Sequence, residues 1–231
     1  MKFGFSTGSL AKGDFERALT MLQDHDLEAV ELSALRESEL PNLVASLEDL
    51  PLDQYSEISI HAPSKLEQMT ERELVDILAG LDYPVVVHPD IVTTPELWHN
   101  LGSRLLIENM DKRKPVGRTA DELDAIFQVL PQARLCLDVG HSRQIDSSLH
   151  ETRTILRRHG HRLAEVHLSD VNSASGHEPH TTSAIEAFQE ISHLFPADIP
   201  IILETPVEEG EIARELEKAR TVFGVLELVS P

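Results

Sequence analysis

The chain has 231 residues, a mass of 25.8 kDa, one cysteine and a formal net charge of −20, with 41% apolar and 26% charged residues. That size suits one domain spanning 1–231, the lone Cys136 excludes an intrachain disulfide, and no uncharged apolar run is long enough to cross a bilayer. The charge opposes phosphate backbones and anionic lipid at long range, which disfavours nucleic acid and membranes as partners.

The amino-terminal MKFGFSTGSL is broken by Gly and Ser too early for a secretory signal, which predicts a cytoplasmic protein. It opens a series of eight short apolar runs: FGFS, AVEL, ISIH, VVVH, LLIE, LCLD, EVHL and IILE. Amphipathic stretches with helix punctuation separate them. Thr70 and Glu73 form a capping box ahead of Leu74, Ile77 and Leu78, and Thr94, Pro95 and Gly102 bracket Leu97, Trp98 and Leu101. Thr119 and Glu122 repeat the capping box before Leu123, Ile126, Phe127 and Leu130, and Pro131 stops that helix. Eight runs at about 29 residues per unit predict an α/β fold, a single (β/α)8 TIM barrel with parallel strands. Ser169–Thr181, rich in Ser, Gly, Asn and His, reads either as an active-site loop or as a disordered surface loop.

Six runs end in a residue able to bind a metal or move a proton: His61, His88, Glu108, Asp138, His167 and Glu204. Side chains alternate along a strand, so the residues one and three places earlier share the opposite face. Those positions, Ile58, Ile60, Val85, Val87, Leu105, Ile107, Leu135, Leu137, Ala164, Val166, Ile201 and Leu203, are all apolar, as an outer face under helices requires. The six polar residues then point inward and meet at the mouth where parallel strands end. Three carboxylates and three imidazoles gathered there need a countercharge, and mixed nitrogen and oxygen donors suit zinc or manganese better than calcium.

His141, beyond a turn at Gly140, and the cluster His177, Glu178 and His180 are further ligand candidates. Parity places Glu165 inside, one layer below His167, where an acid is costly without a partner. Lys65, Lys112, Arg113 and Lys114 follow strand ends as phosphate contacts or as a solvated basic loop.

From FSTG through IHAP, VVVHPD, LLIENMD, LCLDVGHS and EVHLSD to IILETP, the chain resembles the xylose isomerase-like barrel superfamily, which includes endonuclease IV and ketose 3-epimerases. The resemblance implies that Glu108, Asp138, His167 and Glu204 hold one divalent metal. Its endonuclease IV branch implies two more, one held by His61, His88 and Glu108, the other by His141 with Glu178 and His180, where the family's Asp-x-His is replaced by Glu-x-His. One to three ions per chain are therefore expected. Glu31 fits a residue often seen after strand two, or is a solvated rim carboxylate.

The first function implied is isomerisation or epimerisation of a sugar or sugar phosphate through a metal-stabilised enediolate, with Glu108 and Glu204 as the catalytic proton carriers. The alternative is a multi-metal phosphoesterase acting on a small phosphate ester. DNA is a weaker candidate substrate, given the charge and the lack of aromatic residues after His61. A third reading is a non-catalytic metal-binding barrel. Whether two barrels pair as a homodimer is left open by the sequence.

Overall fold

The computed structural model describes residues 1–225. All eight apolar runs are strands: β1 (Lys2–Ser6), β2 (Ala29–Ser33), β3 (Glu57–His61), β4 (Val85–Val87), β5 (Leu105–Glu108), β6 (Arg134–Asp138), β7 (Leu163–Leu168) and, after a small hairpin of β8 (Asp170–Val171) and β9 (His177–Glu178), β10 (Pro200–Leu203). Every barrel pairing is parallel, and the order β1-β10-β7-β6-β5-β4-β3-β2 closes because β1 pairs with both β10 and β2. Helices lie between the strands, as in a (β/α)8 TIM barrel. Among the described residues no helix is long and apolar enough to cross a membrane.

The main apolar core lies between the barrel and its helices. Ile60, Val85, Val87, Leu105, Ile107, Leu135, Leu137, Val166, Ile201 and Leu203 are buried there with helix residues such as Trp98, Leu123 and Phe188, and Ile58 packs at its margin. Each larger side chain in that layer contributes about 1.5–3 kcal/mol by burial. Ala164 departs from the expected outer face. It packs with Val86, Leu106 and Cys136 in a separate small cluster inside the barrel. The cause is a register shift between β6 and β7: Leu135 pairs with Leu163 but Cys136 pairs with Glu165, leaving Ala164 as the extra residue of a bulge.

The helix signals hold unevenly. Thr70 and Glu73 close a full capping box at the helix Glu71–Ala79. Thr119 accepts from the Glu122 N–H, but the Glu122 carboxylate turns back to the Arg118 N–H and guanidinium, so only half of that box forms. Thr94 occupies the N-cap position before Pro95–Trp98 without a side-chain cap, and its N–H donates instead to Glu71. The stretch after β7 is an ordered hairpin in which Asp170 pairs with Glu178 and Val171 with His177.

Candidate metal centre

Strand geometry delivers the six expected side chains to one mouth. His61, Glu108 and Asp138 are the last residues of β3, β5 and β6, His88 and Glu204 follow β4 and β10 directly, and His167 is the penultimate residue of β7. The Glu108 carboxylate is their common point. Its Oε2 lies 3.3 Å from His61 Nε2 and 3.1 Å from His88 Nε2, while its Oε1 lies 3.3 Å from His141 Nδ1 and 3.6 Å from His167 Nδ1. His167 Nδ1 is also 3.3 Å from Glu204 Oε2.

Three overlapping donor sets result at the mouth, in each of which one atom per residue lies within 4.8 Å of the others: His61, His88 and Glu108; Glu108, Asp138, His167 and Glu204; Asp138, His141 and His177; a fourth set, Cys136, Glu165 and His167, meets the same limit and shares His167. Glu108 joins the first two sets and Asp138 the second and third. Three of the atoms facing the cluster, Asp138 Oδ2, His167 Nδ1 and Glu204 Oε2, are buried without a hydrogen-bond partner. Buried polar atoms are nearly always satisfied, so orphans concentrated at one point fit a cation that takes up their lone pairs.

Neighbouring groups fix how the donors face. His61 Nδ1 donates to the Ala62 carbonyl at 2.8 Å, which turns its Nε2 toward Glu108, and His141 Nδ1 donates to the Asn109 carbonyl at 3.0 Å. Ser169 Oγ holds His177 Nδ1 at 2.7 Å. The Asn109 side chain clamps the Asp138 backbone, accepting from its N–H and donating to its carbonyl. Asp138 caps the helix Val139–Ile145 by accepting the His141 N–H on Oδ1, and Oδ2 is left for the cluster.

The electrostatics carry the same message. Burial opposes protonation of His61, yet the carboxylates of Glu31, Glu108 and Glu204 push it up to about 9. Burial likewise opposes charge on His141, which Asp138 and Glu108 push up to about 10. Asp138 is pushed up to about 6 by burial. The carboxylates of this mouth thus require positive charge beside them, and protons on imidazoles supply it in the protein alone.

Two expected ligands stand elsewhere. Glu178 is exposed and accepts from Asn172 Nδ2. His180 is buried against Phe188, its Nδ1 on Glu215, while Lys218 ties both its carbonyl and the Glu215 carboxylate. The reason is the hairpin: pairing of β8 with β9 turns His177 toward His141 and carries Glu178 and His180 away. Replacing His177 with Ala should therefore lower bound metal by about one equivalent, whereas Glu178→Ala should leave it unchanged, as metal analysis of the purified variants would read.

Two acids also find their place. Glu31 is no rim carboxylate: it is fully buried, with Oε2 3.1 Å from His167 Nε2, and receives Ser33 Oγ. Glu165 faces the same nitrogen at 3.2 Å, the partner its position demanded. Burial raises the Glu165 carboxyl above its usual range.

Residues 94–222, more than half of the chain, match the family described as xylose isomerase-like TIM barrel. The chain belongs to that family. No curated protein matches its sequence. Among solved structures, endonuclease IV from Thermus thermophilus is 23% identical with a TM-score of 0.64, covering 98% of this chain and 100% of its own. The IOLI protein with a binding zinc atom is 14% identical at 0.63, covering 97% and 99%. The 3-keto-D-glucoside 4-epimerase YcjR from E. coli is 10% identical at 0.61, covering 96% and 98%. At these identities the likeness is one of fold.

Proposed function

We propose that this xylose isomerase-like barrel is a metal-dependent phosphoesterase acting on a small phosphate ester. The observation that carries the proposal is the sharing of Glu108 and Asp138 among three donor sets. Isomerisation through an enediolate needs a carboxylate at liberty to shuttle a proton. Glu108 has both oxygens committed to imidazoles, which suits a bridge better than a base. The order of the two functions expected from sequence is therefore reversed here, and the reason is His177, which completes the third set.

When bound, divalent ions in these sets would neutralise phosphoryl oxygens and acidify a water. The chain's own residues do the rest. The strand ends and the Asn109 clamp hold the donors fixed before substrate arrives, and Glu31 and Glu165 orient His167 from below. The cavity over the cluster has a volume of about 740 Å³, the size of small-molecule sites. None of its lining residues is Phe, Tyr or Trp, so it lacks the large aromatic platforms on which bases usually stack.

A second reading, sugar isomerisation or epimerisation, is favoured by Glu204 alone, whose buried Oε2 has no hydrogen-bond partner and lies beside His167. The two separate cleanly. Protein purified without chelator is expected to carry about three equivalents of metal and to hydrolyse p-nitrophenyl phosphate. One equivalent, no hydrolysis, and deuterium exchange into a ketose substrate from heavy water would establish the second reading instead.

A further inference from the structure

Four lysine and arginine side chains line the cavity: Lys12, Lys65, Arg113 and Lys114. Two are already engaged. Arg113 forks onto Asp111 at 3.0 and 2.9 Å, and Lys114 Nζ sits 3.0 and 2.8 Å from the Asp90 oxygens. Lys112, a phosphate candidate from sequence, donates to the Ser173 carbonyl and does not line the cavity. Lys12 and Lys65 are exposed and make no ion pair or side-chain hydrogen bond among the described residues. The same lining carries four acids, Asp90, Glu108, Asp111 and Glu204, so the two unpaired lysines bring this cavity to formal balance in a chain of net charge −20.

Both stand on fixed backbone. The segment just after Lys65 is tied down by Glu37, whose carboxylate accepts the N–H groups of Glu67, Gln68 and Met69 at 2.8, 2.8 and 3.0 Å. Lys12 is held more unusually. It occupies a tight turn closed by the Asp14 N–H donating to the Ala11 carbonyl at 3.1 Å, with φ 57° and ψ −116°. These are the angles of the first central residue of a type II′ turn, a position where glycine is the unstrained occupant. Gly13 follows immediately, so the sequence places its glycine second and its lysine at the strained position. Strained non-glycine residues cluster at ligand sites, so a lysine in this conformation beside a cavity points to a use for its side chain.

We propose that Lys12 and Lys65 form an anion subsite at the rim of the barrel mouth, which holds a phosphate group of the substrate separate from the one at the reacting centre. The substrate class is thus a small bisphosphate, with one phosphate over the cluster and the other at the rim. The proposal rests on this cavity being the active site and not on which bond is broken there.

Binding rather than turnover tests it, which keeps its failure distinct from failure of the phosphoesterase reading. Fructose 1,6-bisphosphate and fructose 6-phosphate would be titrated calorimetrically into the metal-loaded protein and into Lys12→Gly, Lys65→Ala and the double variant. The wild type is expected to prefer the bisphosphate on the order of tenfold, the scale of a charge-assisted hydrogen bond, and the double variant to lose that preference. Lys12→Gly should melt at or above the wild-type temperature, because glycine relaxes the turn. Absence of a bisphosphate preference in the wild type, or its persistence in the double variant, would overturn the subsite. A lower melting temperature for Lys12→Gly would assign the lysine to folding and overturn it equally.

Discussion

Glu108→Gln is expected to lower phosphoester hydrolysis by roughly three orders of magnitude or more and to remove more than one equivalent of bound metal. The carboxylate is 1% exposed and stands within 3.6 Å of four imidazole nitrogens, from the ends of β3, β4 and β7 and from the helix Val139–Ile145. Burial alone would make it a weaker acid, yet those imidazoles hold its carboxyl well below the usual carboxylate range. An amide has the same shape but no charge, and one of its two ends donates where every neighbour requires an acceptor. Both bridged donor sets weaken together. The checks are metal analysis and the hydrolysis rate of the same preparation, with Glu178→Gln as the control that retains both. A Glu108→Gln protein holding its full metal content would remove this residue from the ligand set.

Gly4→Ala is expected to destabilise the protein by about 3 kcal/mol or more, which for a chain of this size lowers the melting temperature by roughly 6–12 °C. Gly4 sits in β1 opposite Ala29 of β2. A Cβ at position 4 would stand 2.9 Å from Ala29 Cβ and nearer still to the Ala29 carbonyl, both on the strand beside it. Backbone cannot move aside as the end of a long side chain can, so β1 and β2 would have to part where they help close the barrel. Thermal melts followed by circular dichroism would measure this. An unaltered midpoint would mean that the interior has room the packing does not show. By contrast Gly210, with no heavy atom within 4 Å of a built Cβ, should accept alanine freely.

The strands were legible because residues buried on both faces leave continuous apolar runs, and the convergence of the candidate ligands at one mouth because a polar residue ending such a run must face inward or outward by parity. Parity failed at Ala164, since a bulge depends on how two strands meet and leaves no mark in one sequence. It also could not measure depth. Glu31 obeys the alternation but lies far enough down β2 to be sealed from water, and the choice between rim and interior depends on the height of the barrel wall. The Glu178 and His180 assignments failed because a spacing motif was read through a segment whose orientation is set by a two-residue hairpin. Lys12 went unnoticed for a similar reason: only the dihedral angles of its turn distinguish it from any other surface lysine.

The bulge on β7 has a consequence for how this barrel tolerates change in chain length. Adding or removing one residue within a strand ordinarily rotates everything beyond it to the wrong side. Here Leu163 faces out, Ala164 and Glu165 both face in, and alternation resumes at Val166, so the phase slip is absorbed below Glu165. Excision of Ala164 would leave Leu163, Glu165, Val166 and His167 on the sides they already occupy. The foot of this strand is thus a neutral point for insertion and deletion, and descendants of this barrel can vary in length there without turning His167 away from the centre.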